Sequence, residues 1–247
     1  MNRETAKNTL QRFCSFPIGS SREVMEEFSA LNGAVSVFDG DHKNFVYVPG
    51  TRQDRALLVA HADTVWDKGY HGLDFAQELI EENGVFKSKS SKCGIGADDR
   101  AGCAILWLLK DMGHSLLVVD GEEHGQIGSN HIKNEYPELF NELNSHSYIM
   151  QFDRRENKNY KCYKLPVSQE FIEFVEKETG YYNAGSSAFT DIVTLCRDIC
   201  GVNLSIGYYL EHSELEHIVF EEWLGTLEIA EAILKKEQQK FPLNKNS

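Results

Sequence analysis

Basic residues are scarce in this sequence: 25 Lys and Arg stand against 38 Asp and Glu, a formal net charge of −13 over 247 residues. A surface of that sign repels both a nucleic-acid backbone and an anionic membrane, so neither is expected as a partner. Long apolar runs are missing too. The opening "MNRETAKNTLQRF" lacks the apolar core of a signal peptide, and no stretch reaches the roughly 20 residues of a membrane span, which points to a cytoplasmic protein. No CxxC pair occurs among Cys14, Cys93, Cys103, Cys162, Cys196 and Cys200, so reduced, buried thiols are expected rather than disulfides or a zinc knot. Nor is there a Pro/Gly linker, a repeat or a low-complexity tract. Residues 1–247 therefore read as a single domain, with a flexible tail at 241–247.

What is present is enough apolar sequence, 41% of residues, for one sizeable core. Two helices are expected first, "ETAKNTLQRFC" and "SREVMEEFSALN", the second opened by Ser20 or Ser21. "AVSVFD" and "NFVYVPG" alternate as half-buried strands do, whereas "ALLVA" is apolar throughout, as a strand covered on both faces would be. "AQELIEENGVFKSKS" predicts a hairpin turning at Asn83-Gly84. From "DRAGCAILWLLKDMG" onward helices alternate with the strands "SLLVVD", "SYIMQFD" and "VNLSIGYY". The helices there are "IGSNHIKNEY", "SQEFIEFVEKETG", "SSAFTDIVTLCRDIC" and a last long one at about 220–240. That order predicts an α/β fold with a mainly parallel central sheet sandwiched by helices.

The polar residues fall where such a fold binds ligands, in the crevice beyond the carboxyl ends of its strands. "ALLVA" runs into His61 and Asp63, "LLVVD" into Glu122 and Glu123, "YIMQF" into Asp153, and "SIGYY" into Glu211 and His212. "GADDRAG" adds two adjacent aspartates, Asp98 and Asp99, at the mouth of an apolar helix, where repulsion and desolvation both oppose them unless a cation compensates. Imidazoles and carboxylates without thiolate suit zinc or another borderline divalent ion, in numbers sufficient for two ions sharing a carboxylate. Paired cations suit hydrolysis, with a free carboxylate nearby to shuttle the proton of water.

"HADTVWD", "GIGADDRAG", "DGEEHGQIGS", "QFDRR" and "YYLEHSELEH", in this order across residues 61–217, resemble the co-catalytic zinc exopeptidases. That family includes single-domain bacterial aminopeptidases, peptidase T, and aminoacylase and carboxypeptidase relatives. The resemblance implies two divalent ions, zinc with cobalt or manganese as alternatives. His61 would bind one, His212 the other, and Asp98 would bridge them; Glu123 and Asp153 would complete the ligands. Asp63 would orient the His61 imidazole, and Glu122 would be the general base. Asp99 would be a supporting residue, following a peptide bond that is often cis in this family. Tyr208 or Tyr209 would stabilise an oxyanion, Asp191 would line the site in a structural role, and Glu216 would support the fold around it. His124 and His217 adjoin the motifs; His42, His71, His114, His131 and His146 are expected to be solvated.

Many relatives insert a lid or dimerisation domain before the final histidine, and the stretch from Asp153 to His212 is too short for one. The implied activity is an aminopeptidase acting on short peptides, since aspartate at position 153 goes with aminopeptidases. A carboxypeptidase or N-acyl amino acid deacylase on the same scaffold, taking an acylated amino acid, and a catalytically inactive metal-binding protein stay open as alternatives. Side-chain selection would come from the loops "WDKGYHGLDF" and "RRENKNYKCYKLP", the latter basic in an acidic protein and suited to a substrate carboxylate or phosphate. The oligomeric state is not legible.

Overall fold

The computed structural model describes residues 2–40, 42–67 and 76–244. In chain order the elements are α1 (Arg3–Cys14), α2 (Arg22–Ser29), β1 (Val35–Val37), β2 (Phe45–Val48), β3 (Leu57–His61), a 3-10 turn at Val65–Asp67, β4 (Leu79–Glu82), β5 (Val85–Ser88), α3 (Ala97–Leu109) and β6 (Ser115–Val119). They continue with α4 (Ile127–Glu135), α5 (Pro137–Leu143), β7 (Ile149–Arg154), β8 (Asn159–Lys161), α6 (Gln169–Thr179), β9 (Tyr182–Asn183), α7 (Asp191–Leu195), β10 (Gly201–Ser205), β11 (Tyr208–Tyr209), β12 (His217–Val219) and α8 (Phe220–Leu234).

Eight strands form the main sheet in the order β1-β2-β6-β3-β7-β10-β8-β9. The four central strands, β6, β3, β7 and β10, run parallel, while β2 and β8 join antiparallel at either side. β3 and β6 are buried along their whole length, which is why "ALLVA" and "SLLVV" carry no polar alternation. α3 packs on β3 and β7, α1 on α3, and α7 on β10, so helices flank a mostly parallel sheet, as the sequence pattern implies. From β3 the chain crosses to β6 on one side and then returns to β7 on the other, so strand order reverses at β3. A crevice opens at such a reversal, beyond the carboxyl ends of the strands.

Several expectations need correction. "VNLSIGYY" is not one strand: after β10 it bends at Gly207 (φ +82°), and β11 joins a separate four-stranded antiparallel sheet, β11-β12-β5-β4. "SSAFTDIVTLCRDIC" is helical only over Asp191–Leu195, and α8 stops at Leu234 rather than near 240. The tail is not free through residue 244. The backbone N–H groups of Phe241, Leu243 and Asn244 donate to the carbonyls of Ser147, Asp198 and Pro166, with Phe241 and Leu243 buried, because an apolar pair punctuates an otherwise polar end. Residues 245–247 lie outside the described residues. His114 and His146 are buried rather than solvated, the first engaged by the backbone of Ala56 and Leu234, the second by backbone carbonyls and the Ser115 hydroxyl. His71 lies outside the described residues. All six cysteines are buried and unpaired, and no helix among the described residues is long and apolar enough to cross a membrane.

Candidate functional site

The crevice is where the sequence motifs meet. His61 ends β3; its Nε2 lies 3.1 Å from Asp98 Oδ1 and 3.4 Å from Asp153 Oδ1. On the other side His212 Nε2 lies 3.2 Å from Asp98 Oδ2 and 2.9 Å from Glu123 Oε1. Asp98 thus turns one oxygen to each imidazole, dividing the donors into His61, Asp98 and Asp153 against His212, Asp98 and Glu123.

These separations, within hydrogen-bond and ion-pair range, are also compatible with donors sharing a cation. Two ligands bound at about 2.0–2.1 Å to one tetrahedral ion stand roughly 3.3 Å apart. The electrostatic field has the same sense. Hydrogen bonds to Asp98 and Glu123 raise His212 to about 11. Burial alone would lower His61, yet hydrogen bonds to Asp153, Asp63 and Asp98 overcome it and raise the imidazole well above its ordinary value. Burial pushes Asp98 upward, and the two histidines outweigh that and hold it low. The residues present therefore fit a pair of divalent cations.

His61, Asp98, Glu123 and Asp153 are held from behind. His61 Nδ1 faces the Asp63 carbonyl at 3.1 Å and carboxylate at 3.3 Å. The same carboxylate accepts the backbone N–H groups of Glu122 (3.2 Å) and Glu123 (3.1 Å), so one side chain sets both the strand end and the acidic turn after β6. Glu216 accepts the N–H groups of Gly96 (2.7 Å) and Asp98 (3.0 Å). The Asp98–Asp99 peptide is cis, and both residues depart from helical geometry at the start of α3. Asp99 is not among the residues lining the cleft; its carboxylate, close to the donor atoms of His61 and Asp153, accepts His61 N–H at 3.2 Å and Gly102 N–H at 3.0 Å. Asp153 Oδ2 accepts from Gln151 (3.0 Å) and Thr190 (2.7 Å), while Asn203 bonds its backbone. Sequence reasoning passed over Gln151 and Asn203; each is a polar residue inside an apolar strand run, which is the signal that marks them.

A cleft of about 290 Å³ opens on this cluster, lined by Asp98, Glu122, Glu123, Asp153 and His212 together with Tyr208, Lys161 and Thr190. Glu122 and Tyr208 therefore share the space with the donors. Tyr209 does not: its hydroxyl donates to Glu222 at 2.7 Å and its ring stacks on His217, because alternate residues of β11 face opposite sides. Asp191 also stays behind the cleft, accepting from Ser129 at 2.7 Å. Of the two loops read as selecting substrate, residues 68–75 of the first lie outside the described residues; the second contributes Arg154, Arg155, Lys161 and Tyr163 to the cleft.

His42 takes part in two further groups, one with Asp67 and His124 and one with Asp63 and Asp120. The imidazoles of His42 and His124 stack with centroids 3.9 Å apart and planes 22° from parallel, so their in-plane lone pairs do not converge on a common point.

No protein-family model matches the sequence, and no curated protein matches it. Solved structures do resemble it. The aminopeptidase PepT from Bacillus cereus superposes with a TM-score of 0.67 at 15% identity, covering 95% of this chain and 98% of that one. A tripeptidase from Staphylococcus aureus gives 0.66 at 14% identity, over 96% and 100%. An aminopeptidase from the archaeon Desulfurococcus kamchatkensis gives 0.64 at 14% identity, over 94% and 95%. Identities this low speak to architecture alone, and on that evidence the chain shares the α/β fold of these peptidase structures.

Proposed function

We propose that the protein is a metal-dependent exopeptidase, an aminopeptidase that hydrolyses short peptides with two divalent cations. The observation that carries this reading is Asp98, whose two carboxylate oxygens face His61 and His212 on opposite sides. The peptidase names of the structural neighbours support it. His61, Asp98 and Asp153 would hold one cation, and Asp98, Glu123 and His212 the other; a set of imidazoles and carboxylates suits zinc, with cobalt or manganese able to substitute. When bound, such a pair supplies a polarised scissile carbonyl and a water acidified enough to attack it.

The chain's own residues do the rest. Glu122 lines the cleft and takes the proton of the attacking water, then returns it to the departing amine. Burial, opposed by His61 and reinforced by Asp153 and Asp191, raises Glu122 well above the usual carboxylate value and makes it a willing proton acceptor. Tyr208 stands in the same cleft as the donor to the oxyanion. Asp63, Asp99 and Glu216 position the groups that react.

Metal analysis of protein purified without chelator should find two equivalents per chain; less than one would count against the reading. Glu122→Gln should keep the metal and lose roughly 10²- to 10⁴-fold in turnover. Aminoacyl p-nitroanilides should be cleaved and N-acetyl amino acids left intact, the reverse pattern identifying a deacylase instead. Full activity in Glu122→Gln would remove Glu122 from its role.

A further inference from the structure

Beside its acidic cluster the cleft is lined by three cations, Arg154, Arg155 and Lys161, although the chain as a whole bears a net charge of −13. Arg155 pairs with Glu211 at 2.5 Å, and Arg154 donates to the neutral Asn159. Lys161 is the buried one of the three. It sits on β8, beside β10, with 7% of its surface exposed. Its ammonium donates to the carbonyl of Ser187 at 3.0 Å and to the Ser187 hydroxyl at 3.1 Å, and lies 5.9 Å from the Tyr163 ring. No carboxylate among the described residues forms an ion pair with it. An ammonium has three donors, and Ser187 occupies two of them. Burial, and then the guanidinium groups of Arg154 and Arg155, lower Lys161 below its ordinary value, so the fold holds this charge at a cost. A desolvated cation beside a ligand cleft, with a donor to spare, is suited to an anion that arrives with the ligand.

We propose that Lys161 is the specificity residue that binds a carboxylate of the peptide substrate in this cleft. This rests on the peptidase reading of the site. The carboxylate belongs either to the C terminus of a peptide short enough for both ends to lie in the cleft, or to an acidic side chain; the chemistry at Lys161 is the same. At about 290 Å³ the cleft lies at the small end of ligand sites, in keeping with a short ligand.

The test uses full-length, zinc-loaded protein. Binding is measured by calorimetry on the turnover-impaired Glu122→Gln protein with Leu-Gly and Leu-Gly amide, and with Leu-Glu amide and Leu-Gln amide. The free acid of one pair should bind roughly 10- to 100-fold more tightly than its neutral partner. Lys161→Met should erase that preference while leaving the neutral partner's affinity unchanged, and Lys161→Arg should restore part of it. A preference confined to the first pair identifies the C-terminal carboxylate, and one confined to the second an acidic side chain. Lys161→Gln, a polar replacement, serves should Lys161→Met fail to fold. In the catalytically intact background the change should appear in KM rather than kcat. An acid-to-neutral ratio that is the same with and without Lys161 overturns the proposal, as does failure to bind any of the four peptides. The peptidase reading fails separately: binding with the expected charge preference, but no hydrolysis of any peptide by the zinc-loaded wild-type protein.

Discussion

Gly102 shows how little room the site leaves around its two aspartates. A Cβ built there would lie 2.3 Å from Asp99 Oδ1 and 2.3 Å from the carbonyl of Phe152, so neither the side chain that fixes His61 nor β7 can give way cheaply. Gly102→Ala should cost about 1–3 kcal/mol in urea unfolding. Gly225→Ala, in α8 with nothing within 4 Å, should instead stabilise by about 0.5–1 kcal/mol. His146 yields a prediction in pH. Its Nε2 meets Ser115 Oγ at 2.7 Å and its Nδ1 faces the carbonyls of Glu142 and Leu143, and burial, followed by Arg55, lowers it to about 4. An imidazole whose folded value lies below its unfolded one favours the fold fully above about pH 6.5, and that contribution is lost as pH falls from there toward 4. The difference amounts to at most about 3 kcal/mol. Stability measured against pH should therefore fall less steeply between pH 6.5 and 4 in His146→Gln than in the wild type, and parallel curves would refute this.

At the scale of elements, the strap from Phe241 to Asn244 is tied to three separate segments. The Phe241 ring lies 5.1 Å from Phe171, 4.9 Å from Phe174 and 6.1 Å from Tyr148, closing an aromatic cluster between α6 and β7. Phe241→Ala should cost about 3–5 kcal/mol by denaturant titration. The strap was not legible in the sequence, because its partners lie scores of residues away and its two apolar residues stand in an otherwise polar end. The same limit explains β8, β9, β11 and β12, each two or three residues long: they are strands only because neighbours from other parts of the chain pair with them. β3 and β6 were legible because a buried parallel strand must be apolar along nearly all its length, β7 because its run is mostly apolar despite Gln151, and the β4–β5 turn because Asn83 (φ 53°) and Gly84 (φ 79°) suit the left-handed geometry that a two-residue hairpin demands. α5 was missed although Pro137 stands at its first position, the one helical site where proline is favoured. Of the site, the residues with distinctive chemistry could be read from their places at strand ends. Lys161 could not be told from a solvated loop lysine until β8 was seen to bury it.

For the molecule as a whole, cation binding should be coupled to folding, since the donors come together only in the native chain. A ligand at a hundred times its dissociation constant adds about 2.7 kcal/mol, which for a chain of this size corresponds to roughly 5–10 °C in Tm. Zinc added to chelator-treated protein should produce a rise of that order in the wild type and a much smaller one in Asp98→Asn, where the carboxylate facing both imidazoles is altered. Equal rises in the two proteins would place the cations elsewhere. The anchoring of Asp63 bears on how such a site can change over time. Its carboxylate fastens the imidazole at the end of β3 and the Glu122-Glu123 backbone after β6 to a single point. Neither segment can shift without straining the other, so a substitution that moves one is expected to misplace the donors of both, whereas the walls of the cleft that Asp63 does not hold can change without that cost.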